Sequence, residues 1–385
     1  MDKLKVLMIP SWYPNKKDPL WGNYFIKQAE ALNEFVDVTM LHVDRVGLKE
    51  IHTFLMNKKT DGLDEKLYSF KSYKKTILNY KSLSLDFAYK RYVKNGLKAY
   101  YDLVELVGKP DIVLVESVLP AGLIAKAIYD KEGIPYVVHA HSENIMLNTA
   151  YEEYVIPVMK SASSYMAVNK DIKKIVEDKI DRECHLVPNF IDCSKFSLKE
   201  KRKDKDFILV SISNFYKVKA LDVLLKALNI VVNKKGYKNV KLKIVGTGEF
   251  KYFYESICHS LNLNDNVEFM GYVKNDEIPN ILKSSDALCV SSTFETFCIP
   301  IVEAFATGLP VITTDCTGPL EICNKENSII TPINDVEKYA DAIIELMENY
   351  KNYNSKDIKN YALNNYDKNI VCKKIIEVLK SEKNR

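Results

Sequence analysis

The sequence predicts an α/β protein made of two doubly wound domains in tandem. Through the first half, short β-branched runs alternate with helical patterns, the signature of βαβ units and a mostly parallel sheet. A wholly charged run, KEKRKDKD at residues 199–206, then interrupts the pattern, and the alternation restarts after it. A length of 385 residues suits two domains of ordinary size. The expected organisation is a first domain over 1–198, a linker over 199–206, a second domain over 207–365 and a closing helix over 366–385 that packs back on the first domain.

In order, the first-domain strands are expected at KVLMI, VDVTMLHV, DIVLVES, PYVVHAH, SYMAV and HLVPN. Phe25, Ala29, Leu32 and Val36 recur at helical spacing, and a helix from about Leu119 stops at Gly133 with Pro135 beyond it. The second domain opens on FILVSIS and continues with a helix carrying Leu221, Leu224, Leu225, Leu228, Val231 and Val232. Strands follow at KLKIVG, NVEFMGYV, ALCVSS, PVITT and SIITP, and from about Asp335 the chain is helical. Ligands of such sheets sit outside the carboxyl ends of the strands.

Composition removes several classes. The hydrophobic fraction is 47% and the charged fraction 28%, a balance that supports a sizeable core. Fifty-five Lys and Arg against 51 Asp and Glu leave +4, too little for a nucleic-acid field. The eight cysteines lie in the second half, never as CxxC, which fits reduced thiols of a cytoplasmic protein better than zinc or a disulfide framework. No apolar run approaches the roughly 18 residues that cross a bilayer, so any membrane contact is expected to be peripheral. No H-E-x-x-H, G-x-S-x-G or P-loop string occurs. Gly246 and Gly248 form a G-x-G, but Lys251 stands where a dinucleotide fingerprint needs its third glycine.

Residues 66–98 stand apart, with nine basic residues, Lys74, Lys75, Arg91 and Lys94 among them, against Asp86 as the one acid. Aromatics interleave them: Tyr68, Phe70, Tyr73, Tyr80, Phe87, Tyr89 and Tyr92. Such a segment fits an anionic membrane or a charged lipid carrier, and equally an amphipathic helix with its lysines outward.

The most informative stretch runs from Ser291 to Asp315. Pro300 suits a helix start and Gly308 its end, with Pro310 just beyond, so PIVEAFAT reads as a short helix between two strands. A helix start near Phe297, Cys298 and Ile299 offers N–H donors and a partial positive charge, a site for a diphosphate. Glu295 precedes that helix and Glu303 lies one turn inside it, leaning toward its amino end. Each acid can hold a different sugar of a nucleotide sugar; alone, the pair also fits surface carboxylates.

Glu295 to Glu303 resembles the E-x7-E motif of glycosyltransferase family 4, retaining enzymes with the two-domain GT-B fold, in which two Rossmann-like domains face a central cleft. Supporting segments occur in that family's order along nearly the whole chain: a first loop closing on Gly22, IPYVVHAHSEN, AVNKDIKKI, LVPNFID, the Lys219 segment, KLKIVGTGE, VEFMGYV and TGLPVITTDCTGP. The resemblance implies that Glu303 binds the donor ribose and Glu295 the donor sugar beside the amides of Phe297, Cys298 and Ile299. It implies further that Lys219 neutralises the leaving diphosphate, Gly22 lets the first loop approach the donor, backbone near Val273 reads the nucleobase, and His141 is the active-site histidine. His139 shares a strand face with His141, so spacing separates them poorly.

Three positions depart from the family pattern. Asn214 stands where an arginine is usual, Cys298 where a glycine is, and Thr317-Gly318 where Gly-Gly is. No dense acidic cluster argues for a divalent metal, so the protein is expected to be metal-independent and without cofactor. The cysteine scatter fits the cytoplasm, and the basic-aromatic segment fits a peripheral membrane contact. The resemblance implies a hexosyltransferase. It would use a UDP- or GDP-type sugar donor and a saccharide or lipid-linked acceptor in envelope polysaccharide or glycolipid synthesis. A GT-B epimerase, or a weakly active scaffold that binds a nucleotide sugar or a partner transferase, is the alternative.

Overall fold

A computed structural model describes residues 3–15, 21–79, 84–142, 144–199 and 206–383. Residues 200–205 of the expected linker, and Tyr80 and Lys81 of the basic segment, lie outside the described residues. The chain divides into two compact units, one formed by Met1–Val187 with Cys372–Arg385 and the other by Pro188–Val371. The division falls before the expected boundary at 198. Ile191, Cys193 and Phe196 are buried in one cluster with Val302, Phe305 and Tyr366 of the second unit, and Ile191 N–H donates to Tyr366 O at 3.0 Å. The apolar residues of 188–198 thus find their cover after the strand run has ended, which a charge run cannot reveal.

The first unit holds β1 (Lys5–Pro10), β2 (Asp37–Gly47), β3 (Gly62–Asp64), β4 (Lys71–Asn79), β5 (Ile112–Glu116), β6 (Tyr136–Ala140), β7 (Ser164–Ala167) and β8 (His185–Leu186). They form one sheet in the order β3-β4-β2-β1-β5-β6-β7-β8, parallel except for the β3–β4 pair. The central strands are covered on both faces: every residue of β5 and β6 is buried. From β1 the chain first builds outward to β2 and later crosses to β5, so the strand order reverses between β1 and β5. That reversal opens a crevice at the carboxyl ends of the two strands.

The second unit repeats the plan with β9 (Phe207–Ile212), β10 (Val240–Val245), β11 (Val267–Gly271), β12 (Ala287–Val290), β13 (Val311–Thr314) and β14 (Ser328–Thr331). Its order is β11-β10-β9-β12-β13-β14, parallel throughout, with the reversal between β9 and β12. The G-x-G after β10 has a packing purpose. A Cβ at Gly246 would lie 1.8 Å from Ser213 O, so the glycine lets this loop close on the one that follows β9.

The basic-aromatic segment is neither one helix nor one surface. Its first half is β4, paired in parallel with β2 over nine residues, and its second half is the helix Leu85–Val107. Phe70, Tyr73, Tyr89 and Tyr92 are buried and belong to the core rather than to a membrane face. The lysines of β4 obscure its period-two pattern, because their stems lie along apolar surface while their ammonium groups reach water. Ser84 caps the helix, accepting from Phe87 N–H at 3.3 Å.

Candidate active site

In the second unit the crevice is stitched shut by residues from both strands at the reversal. After β9 the chain makes a single turn, Lys217–Lys219, with Lys219 N–H on Tyr216 O at 3.0 Å. After β12, Ser291 Oγ donates to Lys219 O at 2.9 Å and Thr293 N–H donates to Val218 O at 2.8 Å. Lys219 Nζ then meets Glu295 Oε1 at 2.7 Å, and Ser292 Oγ donates to the same oxygen at 2.8 Å. Burial pulls the Lys219 pKa down, but the Glu295 charge and hydrogen bond outweigh it and raise it above its ordinary value. The amine is therefore a fixed cation at neutral pH.

Glu295 leads directly into the helix Ile299–Ala306. Cys298 precedes its first turn in the left-handed region, φ 74° and ψ 75°, the backbone for which a glycine would be the unstrained residue. This explains why a glycine is usual at that place. Burial, with the Glu295 charge adding to it, pushes the Cys298 thiol well above its ordinary value. Phe297 turns its ring into the core, 5.7 Å edge-on to Tyr366, and contributes backbone only. Gly318 N–H donates to Glu295 O at 2.9 Å, and a Cβ at Gly318 would lie 2.7 Å from Phe297 N and 2.8 Å from Thr296 C. The glycine after Thr317 thus allows two backbone segments to touch and fixes the loop that aims Glu295.

Glu303 is half-buried one turn inside the helix, and half-buried Val273 packs against the core cluster that contains Cys298. Asn214, exposed on the loop after β9, lends its carbonyl to Tyr216 N–H at 2.8 Å. The structure thus gathers Lys219, Glu295 and the Phe297–Ile299 backbone into one locus, with Glu303 on the same helix.

The remaining two predicted residues lie in the first unit, around its own strand reversal. Gly22 has φ 77°, and a Cβ there would lie 2.5 Å from Trp12 O, just past β1. His141 follows β6. Its Nε2 lies 2.5 Å from Glu116 Oε2, and its ring stands edge-on to Phe25 at 5.1 Å and Tyr24 at 5.9 Å. His139 is fully buried and donates from Nε2 to Val187 O at 3.0 Å, whereas His141 keeps 8% exposure. Of the two histidines, His141 is the one with an outward edge.

Sequence reasoning missed Glu116 and Gln28. Glu116 ends β5 and is wholly buried, and Gln28 Nε2 donates to its Oε1 at 2.7 Å. Burial alone would raise the Glu116 pKa, but the imidazoles of His139 and His141 outweigh it and hold the carboxyl at about 2. The available signal was an acid closing an otherwise apolar five-residue strand, a place that demands partners. Among the described residues Glu116, His139 and His141 are also the one group of three metal-capable side chains, with ligand atoms all within 4.8 Å.

Chemically, the second unit offers an ammonium, a carboxylate and a helix start at one crevice, a set suited to an anionic, hydroxyl-bearing ligand. No helix among the described residues is long and apolar enough to cross a membrane.

Comparison with known proteins is consistent along the chain. Residues 24–195 match the family described as Glycosyltransferase Family 4, and residues 194–364 match Glycosyl transferases group 1. An uncharacterized glycosyltransferase of Methanocaldococcus jannaschii is 28% identical over 260 residues, covering 60% of this chain and 63% of that protein. The UDP-Gal:alpha-D-GlcNAc-diphosphoundecaprenol alpha-1,3-galactosyltransferase of Escherichia coli is 24% identical over 299 residues, covering 70% and 76%. Among solved structures, Anabaena HepE in complex with UDP and glucose superposes with a TM-score of 0.71 at 16% identity over 98% of this chain and 100% of that one. With two parallel-sheet α/β units and these matches end to end, the fold is GT-B, and the chain belongs to glycosyltransferase family 4.

Proposed function

We propose that this chain is a retaining glycosyltransferase that moves a sugar from a UDP- or GDP-type nucleotide sugar to an acceptor hydroxyl in envelope polysaccharide or glycolipid synthesis. The observation that carries the reading is the Lys219–Glu295 pair, 2.7 Å apart, set beside the start of the helix Ile299–Ala306 at a strand reversal. The bond that breaks is the anomeric C–O bond to the diphosphate, and negative charge grows on the departing oxygen. Lys219 and the helix start stabilise that charge, so no metal ion is required. The acceptor oxygen bonds to the anomeric carbon on the face the diphosphate leaves, and the acceptor proton passes to the leaving phosphate. Glu295 holds hydroxyls of the transferred sugar, Glu303 holds the ribose, and His141 orients the sugar. The donor type follows the relative named for UDP-Gal and the neighbour solved with UDP and glucose.

The acceptor is proposed to be lipid-linked, as the name of the Escherichia coli relative states of that enzyme. The membrane-facing part of residues 66–98 is then narrower than the sequence suggests. Its exposed apolar residues are Leu67, before β4, and Leu85 and Phe87 at the head of the helix Leu85–Val107, with Lys66, Lys90, Lys94 and Lys98 exposed beside them. The helix Ile51–Lys58, which exposes Ile51, Leu55 and Met56 and buries none of its residues, adds a second apolar face. Binding to anionic vesicles should fall steeply with salt; no binding at low salt removes the membrane contact.

The direct test is a thermal-shift panel of UDP-, GDP- and ADP-sugars, followed by turnover with the donor that stabilises most. A preferred donor at about 100 times its Kd should add roughly 2.7 kcal/mol of stability. Stabilisation without transfer or slow hydrolysis supports the scaffold alternative, and donor conversion without acceptor supports an epimerase.

A further inference from the structure

We propose that Glu116 is a positioning residue for His141. By accepting a hydrogen bond from His141 Nε2–H, one wholly buried carboxylate at the strand reversal fixes which edge of that imidazole is turned outward. This rests on the reading of His141 as the histidine that orients the transferred sugar.

The geometry leaves the carboxylate no other arrangement of comparable quality. Gln28 Nε2 occupies Oε1 at 2.7 Å, and His141 Nε2 occupies Oε2 at 2.5 Å. The other imidazole is already committed: the hydrogen bond from His139 Nε2 to Val187 O, at 3.0 Å, requires that nitrogen to carry the proton. His139 Nδ1 lies 3.5 Å from Glu116 Oε2 and has no hydrogen-bond partner, so it stands beside the carboxylate without displacing His141. The His139 and His141 rings lie with their centroids 4.3 Å apart, and Phe25 and Tyr24 close on His141 from the helix Asn23–Asn33. The imidazole is therefore confined by rings and oriented by the Glu116 carboxylate.

The acceptor is itself rigid. Glu116 O accepts from Ser11 N–H at 3.0 Å, which ties the end of β5 to the loop after β1. Ser11 Oγ donates to Ser117 O at 3.0 Å and receives Ala121 N–H at 3.2 Å. Such backing resembles the way a buried acid sets the tautomer and orientation of an imidazole in other enzymes, although here the ring is used for placement and not as a general base.

The experiment compares wild type, Glu116→Gln and His141→Ala by steady-state kinetics and by the histidine side-chain 1H–15N spectrum. The wild-type spectrum should show a proton on His141 Nε2 shifted far downfield by its carboxylate partner. Glu116→Gln should lose that shift and lower kcat about 10–100-fold, the scale seen when the partner that orients a functional imidazole is removed, with donor KM held within about twofold. Unaltered kcat in Glu116→Gln alongside collapse in His141→Ala overturns the proposal, as does a His141 Nε2 that carries no proton. Tight stoichiometric zinc that Glu116→Gln abolishes would also overturn it, by making the cluster a metal site. Normal turnover in His141→Ala defeats the underlying assignment of His141 instead, a result distinct from the others. Should Glu116→Gln fail to fold, Gln28→Met removes only the donor to Oε1 and should give the same changes at smaller size.

Discussion

Replacing Lys219 by Met separates what this amine contributes to the fold from what it contributes to turnover. At 2.7 Å and an effective dielectric of about 20, the Lys219–Glu295 attraction is about 6 kcal/mol before desolvation is charged against it. Both side chains are mostly buried, 21% and 13% exposed, so Lys219→Met strands a carboxylate whose remaining neighbour is the Ser292 hydroxyl. Discounted for that residual exposure, the loss of stability should be about 2–4 kcal/mol by urea unfolding. Turnover should fall about 10²–10³-fold, the scale for one preorganised charge partner. The discriminating variant is the double replacement Lys219→Met with Glu295→Gln. Removing both charges should restore stability to within about 1 kcal/mol of wild type, since no lone ion remains. It should restore none of the turnover, because the charge that meets the diphosphate is still absent. Recovery of kcat in the double variant, or near-normal kcat in Lys219→Met, refutes the assignment of the amine to the leaving group.

Other expectations follow from the same structure. Glu303→Ala should chiefly raise the donor KM, because a ribose contact is similar in ground and transition states; a collapsed kcat at unchanged donor affinity would reassign the residue. Gly318→Ala must push backbone at Phe297 and Thr296 away by about half an ångström or more, so kcat should drop about 10–100-fold for a stability loss of only about 1–3 kcal/mol. Equal activity at equal expression would show that the loop can give. His42, buried against Tyr13 with ring centroids 4.1 Å apart, is held down at about 3 by burial, with Lys74 and Arg45 adding to it. An unfolded chain therefore takes up this proton first, and the contribution of neutral His42 is full above pH 6.5 and lost as pH falls from there toward 3. His42→Gln should flatten the acid limb of the stability curve in that window; an unchanged slope would place acid sensitivity elsewhere.

Strands that alternate with helices were legible because β5, β6 and all six strands of the second sheet present short apolar or β-branched runs, whether wholly buried like β12 and β13 or half-buried like β11. β4 was not, because its lysines dilute the pattern, and β3 is three residues long. The second-unit locus was legible because helix punctuation at Pro300 and Gly308 places Glu295 and Glu303 without any tertiary information. Glu116 and Gln28 are 88 positions apart, and their pairing depends on β1 and β5 becoming neighbours, which no local signal encodes. The same holds for Gly318, whose smallness matters only because residues 295–297 arrive against it.

The final helix, Lys368–Lys383, changes allegiance along its length: from Cys372 onward it belongs to the unit that begins the chain, with Ile375 and Leu379 fully buried and Lys383 paired to Asp111 at 3.0 Å. A ribosome therefore releases this piece of the amino-terminal half long after the rest of that half and the middle of the polypeptide have emerged. Truncations placed at residue 187 to isolate that half would bare the apolar surface this segment covers, so a fragment for biophysical work should carry the terminal helix grafted back through a short loop.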